Sequence, residues 1–158
     1  MSVVRGEPEG DDVRVAVVAA RFHDTVTTKL VEGALAGFAH HGVPDDAITV
    51  IWVPGAFEIP LIADRLAISG RVDAIVCLGA VVRGETAHFD LVAGEAARGI
   101  AEVSRRTGVP CIFEVLATDR LDQAEARAGG AHGNKGWEAA DAALEMASVV
   151  SQLPEAAP

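Results

Sequence analysis

The stretch "VVRGETAHFD" at 81–90 passes straight from an apolar run into Arg83, Glu85, Thr86, His88 and Asp90. His88 is of the side-chain type that titrates near neutrality, as a proton-transfer residue must. A Gly-Glu-Thr step ahead of a helix can seat a phosphate on the backbone N–H groups of the helix start. Two other stretches add to this. "ARFHD" at 20–24 offers Phe22 as a stacking surface beside His23, and "PGAFE" at 54–58 offers Gly55, Ala56, Phe57 and Glu58. Late in the chain, "RAGGAHGNKG" at 127–136 is dense in glycine and carries Arg127 and Lys135. Two cations there stand out in an acidic chain, and an anion would account for them. Stacking surface, carboxylate, polar loop and titratable groups together outline a small-molecule site.

Each piece also has a plain structural explanation. Phe22 can cap a core, and Glu58 near a helix start stabilises the helix dipole with no further role. Thr86 is an ordinary N-cap residue, and Asp90 most simply serves a helix N-terminus. His40 and His41 close a helix and face its negative end. The stretch 127–136 reads equally as a flexible connector between helices. No pair of His or Cys has metal-ligand spacing, so no metal is expected. No glycine pattern meets the dinucleotide or phosphate-loop fingerprint.

The elements that must position these residues follow from hydrophobic periodicity. Four runs read as buried parallel strands: "VRVAVVAA" (13–20), "AITVIWV" (47–53), "DAIVCLGAVV" (73–82) and "PCIFEVLA" (110–117). Their apolar character is continuous rather than alternating, as expected when helices cover both faces of a sheet. The segments between them have helical period. Val26, Leu30, Leu35 and Phe38 share one face of a helix that Gly42 and Pro44 stop. Residues 57–67 place Ile59, Ile62, Ala63 and Leu66 together, with Pro60 confined to the first turn. Residues 88–106 turn Val92, Ala96, Ile100 and Val103 inward, with Glu95/Arg98 and Glu102/Arg106 on the polar face. Thr118 or Asp119 can cap a short helix that ends at Gly129-Gly130. A last helix, 135–152, lines up Trp137, Ala140, Leu144 and Ala147. The order β-α-β-α-β-α-β-α-α predicts a doubly wound α/β sandwich. In such a sheet ligands bind outside the carboxyl ends of the strands, which is where the chemical stretches fall.

Composition narrows the classes. With 158 residues, the chain is long enough for one domain with a full core. Half of it is hydrophobic and only 4% aromatic, so the core is aliphatic. A formal net charge of −10 argues against a nucleic-acid or anionic-membrane role. Cys77 and Cys111 sit inside apolar runs and read as small core residues. "MSVVRGEPEG" has no apolar signal-peptide core and no apolar run approaches membrane-spanning length, so a reduced cytoplasmic setting is expected. The expected organisation is an N-terminal arm at 1–12, one α/β domain at 13–152 and a tail at 153–158. "SVVRGE" has strand character but is cut off by "PEGDD". It suits an edge strand added to a neighbouring chain, or else a frayed tail.

Taken in order and spacing, "RF" at 21–22, "WVPGAFEIP" at 52–60, "LGAVVRGETAHFD" at 78–90 and "RAGGAHGNKG" at 127–136 resemble the lumazine synthase family. The resemblance runs from Val13 to Val150. It implies a three-layer, flavodoxin-like sandwich: a parallel four-stranded sheet with helices on both faces. It implies condensation of 5-amino-6-(D-ribitylamino)uracil with 3,4-dihydroxy-2-butanone 4-phosphate to 6,7-dimethyl-8-ribityllumazine, with loss of phosphate and water. Such chemistry asks for orientation and proton shuttling, and no cofactor is expected. By the same resemblance, Phe22 stacks on the pyrimidine, with Phe57 beside it, and Ala56 and Glu58 hold the ribityl chain. The backbone of Ala80, Val81 and Val82 reads the ring edges. Glu85 and Thr86 bind phosphate with Arg127, and His88 transfers protons. Phe113, Arg127 and Lys135 come from the adjacent subunit, and Arg83 is left to a structural role.

The sequence departs from the family pattern in places. His23 stands where Asn is common, and Glu114 and Ala117 replace a usual Gly and Thr. Ala126 replaces an acidic residue, and the nearby Glu125 is assigned no role. The family resemblance further implies pentamers, and the short "GGAHGN" connector implies sixty-subunit icosahedral shells, with a decamer as the rival. Riboflavin synthase is a candidate partner. A non-catalytic shell or flavin-binding protein, or a weakly active paralogue on the same fold, is the competing reading.

Overall fold

The structure is a computed structural model in which residues 1–154 are described. Its centre is a strand with no polar side chain: β1 (Val15–Ala20), "VAVVAA", in which every residue is buried. Chain order then runs α1 (Asp24–His40), β2 (Ile48–Val53), α2 (Ile59–Ile68), β3 (Ala74–Val82), α3 (His88–Thr107), β4 (Cys111–Thr118), α4 (Leu121–Ala126), a small hairpin of β5 (Ala128–Gly130) and β6 (Gly133–Asn134), and α5 (Lys135–Ser151). The main sheet has the order β2-β1-β3-β4 and all its pairings are parallel. This is the α/β sandwich expected from the order of elements, of the flavodoxin-like kind that the family resemblance implies.

The two-residue period of the strands divides the core in two. Val15, Val17 and Ala19 of β1, with Ala74, Val76 and Leu78 of β3, face α1 and α5. Ala16, Val18 and Ala20, with Ile75 and Cys77, face α2 and α3. Each helix supplies the expected stripe: Val26, Leu30 and Phe38 from α1, Ile59 and Ala63 from α2, Ala96, Ile100 and Val103 from α3, and Ala140, Leu144 and Ala147 from α5. Pro60 lies in the first turn of α2, where its missing N–H costs nothing.

Several expectations need correction. The outer strands β2 and β4 are only partly covered, with Trp52 and Phe113 each 41% exposed. A continuous apolar run shows that a strand lies in a parallel sheet, but not whether it lies in the middle. Arg106 pairs with Asp64 of α2 rather than with Glu102, one turn back, while Arg98 does pair with Glu95. Neither Thr118 nor Asp119 caps α4. The Gln123 side-chain oxygen instead accepts from the N–H groups of both Asp119 and Arg120 at 3.0 Å. His41 does more than face a helix end: its Nε2 lies 2.7 Å from Asp141 Oδ1 on α5.

The N-terminal arm forms no strand within this chain. Val3 and Val4 are exposed, whereas the following residues lie along α5 and the end of α1. The Glu7 N–H donates to Ser148 Oγ at 3.2 Å, Gln152 Nε2 donates to the Arg5 carbonyl at 2.9 Å, and the Gly10 N–H donates to the His41 carbonyl at 2.9 Å. Most of the expected tail at 153–158 lies outside the described residues. Among the described residues, no helix is long and apolar enough to cross a membrane.

The glycine-rich stretch is neither a loose connector nor wholly a ligand loop. Gly129 and Gly133, with φ +94° and +73°, turn the β5–β6 hairpin. Asn134 then caps α5: its Oδ1 accepts from the Gly136 N–H at 2.8 Å, and its Nδ2 donates to the Lys29 carbonyl of α1 at 2.9 Å. Gly136 lies so close to α1 that a Cβ there would sit 1.8 Å from the Leu30 carbonyl oxygen. Backbone cannot yield as a flexible side chain does. Gly136→Ala is therefore expected to cost about 3 kcal/mol, the upper part of the usual overpacking range. Thermal denaturation should show this as a melting point lower by roughly 6–12 °C.

Candidate active site

The chain leaves β1 to build β2 on one side and β3 on the other, so a crevice opens at the carboxyl ends of β1 and β3. A cavity of about 600 Å³ lies there, lined by segments that follow each of the first three strands. The backbone pairing of β1 with β2 runs on past the strand ends. The Arg21 N–H donates to the Val53 carbonyl at 2.8 Å and the Phe22 N–H to the Pro54 carbonyl at 3.2 Å, which holds Phe22 at the rim. Phe22 is 68% exposed, so it is not a core cap. His23 takes a left-handed conformation (φ 59°, ψ 50°) that starts α1, and its ring meets Phe22 edge-on at 4.8 Å. Asn is the side chain most at ease in that conformation and His is also enriched there, so the departure at this position is compatible with the same backbone.

Ala56, Phe57 and Glu58 form a single 3-10 turn ahead of α2. Ala56 is buried as its floor, while Phe57 and Glu58 are exposed to the cavity. The Glu58 carboxylate folds over Gly55, where a Cβ would lie 3.1 Å from its Oε2. On the opposite wall, β3 outruns β1. Their pairing stops at Ala19–Leu78, whereas the pairing of β3 with β4 continues to Val82–Thr118. The edge of Ala80, Val81 and Val82 that faces the cavity therefore has no strand partner, and its backbone groups are available to a ligand.

Beyond β3, Thr86 and His88 line the same cavity. Thr86 is not the N-cap of α3, which is Ala87. Its Oγ1 instead accepts weakly from the His88 N–H at 3.4 Å. His88 is the first residue of α3 and is exposed. Gly84, Phe89, Leu91 and Val92 complete the lining. Gly84 belongs to the Gly-Glu-Thr step, Val92 also packs against the core as expected, and Phe89 and Leu91 carry no chemical signal in the sequence. Glu85 is exposed but lies outside the lining.

Phe113, Arg127 and Lys135 do not join this cavity. They line a second groove of about 650 Å³ along the open edge of β4, with Arg83, Asp119 and Gln123. Phe89 separates the two and contributes to both. Arg127 is half-buried and donates from Nη1 to the Gln123 carbonyl at 2.9 Å. Lys135 Nζ meets Glu138 Oε2 at 2.5 Å, and this hydrogen bond holds the ammonium above the ordinary lysine range. Glu114, nearby on β4, is pushed up by burial, with Lys135 pulling it back. Among the described residues, no cluster of three or more His, Cys, Asp or Glu is placed to hold a metal ion.

A protein-family model described as 6,7-dimethyl-8-ribityllumazine synthase matches residues 12–151. The chain belongs to that family. The match spans both the cavity and the groove, so everything from β1 to α5 falls within the lumazine synthase pattern. Membership agrees with the α/β architecture and supports a lumazine synthase type of function.

Proposed function

We propose that the protein is a transferase that condenses 5-amino-6-(D-ribitylamino)uracil with 3,4-dihydroxy-2-butanone 4-phosphate to 6,7-dimethyl-8-ribityllumazine. One observation carries this reading in a member of the family. Phe22, Glu58, the unpaired edge of Ala80–Val82, Thr86 and His88 surround one cavity at the switch point of the sheet. The pyrimidine stacks on Phe22 with Phe57 beside it, its ring edges meet the β3 backbone, and Ala56 and Glu58 take the ribityl chain. Thr86 and Glu85, at the start of α3, hold the phosphate together with Arg127. The substrate amine adds to the ketone and the adduct loses water to give an imine. Phosphate leaves by elimination, and attack of the ribitylamino nitrogen on the carbonyl so formed closes the ring with loss of a second water. His88, next to Thr86 at the start of α3, carries the protons that these steps move.

Phe113, Arg127 and Lys135 act in the site of an adjacent subunit, a reading supported by their place in a separate groove of the same chain. Residues 13–152 form the catalytic unit of a pentamer, and twelve pentamers form an icosahedral shell. The arm at 1–12 adds a strand to a neighbour, for which the open edge of β2 and the exposed Val3 and Val4 are the support. The setting is cytoplasmic, and riboflavin synthase is a candidate partner. Mixing the two substrates with the protein and following lumazine fluorescence tests the reaction. A rate no higher than the uncatalysed background overturns it. Light scattering on the same sample should give a shell-sized particle, and a pentamer-sized one refutes the shell.

A further inference from the structure

Arg83 stands between the cavity and the groove, and two segments, the end of β4 and the start of α3, converge on it. Its Nε donates to Asp119 Oδ1 at 2.8 Å, in the turn after β4. Its Nη1 lies 3.7 Å from Asp90 Oδ1, in the first turn of α3, and its guanidinium lies 4.2 Å over the ring of Phe89. Its backbone N–H donates to the Thr118 carbonyl at 2.9 Å. From Asp119 the connections continue. The Asp119 N–H donates to Gln123 Oε1 at 3.0 Å, and the Gln123 carbonyl accepts from Arg127 Nη1 at 2.9 Å.

Arg83 lines the groove, so an anion-binding role has to be weighed first. Two carboxylates already face the guanidinium and one of its faces is covered by Phe89, which leaves little uncompensated charge for a ligand. We propose that Arg83 is a positioning residue: it locks the start of α3, which carries His88, to the turn after β4, which leads through Gln123 to Arg127. Each exposed ion pair is weak taken singly, and cation–π stacking adds a comparable amount. The lock comes from three contacts meeting on one planar group, which a lysine ammonium cannot reproduce.

The test compares wild type, Arg83→Met and Arg83→Lys, each as the full assembled protein. Amide hydrogen exchange without substrate is the first measurement. Arg83→Met should speed exchange about three- to tenfold in both 83–90 and 119–127, with β1 unchanged, and Arg83→Lys should fall between. Unchanged exchange in either segment overturns the proposal. The kinetic arm rests on the condensation reading: kcat should fall about three- to tenfold without a matching rise in either KM, with partial rescue by lysine. A rise confined to the KM of the phosphate substrate would make Arg83 a ligand contact and overturn the positioning role. Should wild type form no lumazine, the reaction reading fails while the exchange measurement still decides the role of Arg83.

Discussion

His88→Ala is expected to lower turnover by about two to four orders of magnitude, the usual contribution of a positioned general acid–base group. His88 opens α3, is exposed, and lines the cavity that Phe22 and Glu58 also border. Glu58, at the head of α2, is the other titratable group with a predicted role on that lining, and its carboxylate lies folded over Gly55. Amine attack and phosphate loss both move protons, and of the two histidines on that lining, His23 and His88, His88 is the one beside Thr86 at the start of α3. Because it is exposed and makes no long-range hydrogen bond among the described residues, its loss should change stability by no more than about 0.5 kcal/mol. Melting point and particle size should therefore match wild type while the rate of lumazine formation collapses. A variant as active as wild type would show that the histidine is dispensable.

The reading of the sequence reached the site through one rule, that ligands sit beyond the carboxyl ends of parallel strands. It brought Phe22, Ala56, Phe57, Glu58, Ala80, Val81, Val82, Thr86 and His88 to one place because each follows or ends a strong apolar run. The same run pattern made β1 and β3 legible, since both faces of each are buried. It misjudged β2 and β4, because an outer strand can be as apolar as an inner one when another surface will cover it. Trp52 and Phe113 are apolar yet open in this chain. What sequence spacing could not show were contacts between distant segments. Arg83 meets Asp119 thirty-six positions away, and Asn134 reaches Lys29 across more than a hundred. These are the contacts that turned Arg83, the one arginine of 81–90, into a tie between two surfaces, and much of the glycine-rich stretch into a helix cap.

Arg127→Gln should raise the KM of the phosphate substrate by roughly 10- to 100-fold, the loss expected for charge-assisted hydrogen bonds to an anion. The KM of the pyrimidine should hardly move. Gln removes the charge and the fork of donors but keeps a hydrogen-bonding group. Arg127→Lys, which keeps the charge without the planar fork, should fall between. Equal effects on both substrates would count against a phosphate role. Geometry adds a stricter demand, because Arg127 lies in the groove and His88 in the cavity of the same chain. On the proposed ring of subunits, a site that uses both draws them from two neighbours, each interface taking His88 from one chain and Arg127 from the next. Neither His88→Ala nor Arg127→Gln alone leaves an intact site. When the two variants are mixed in equal amounts and co-assembled, however, about a quarter of the interfaces pair an intact His88 with an intact Arg127. Activity at low phosphate substrate should then rise well above that of either parent. A mixture no more active than the average of its parents would place the whole site within one chain, and the separation of cavity from groove would need another explanation.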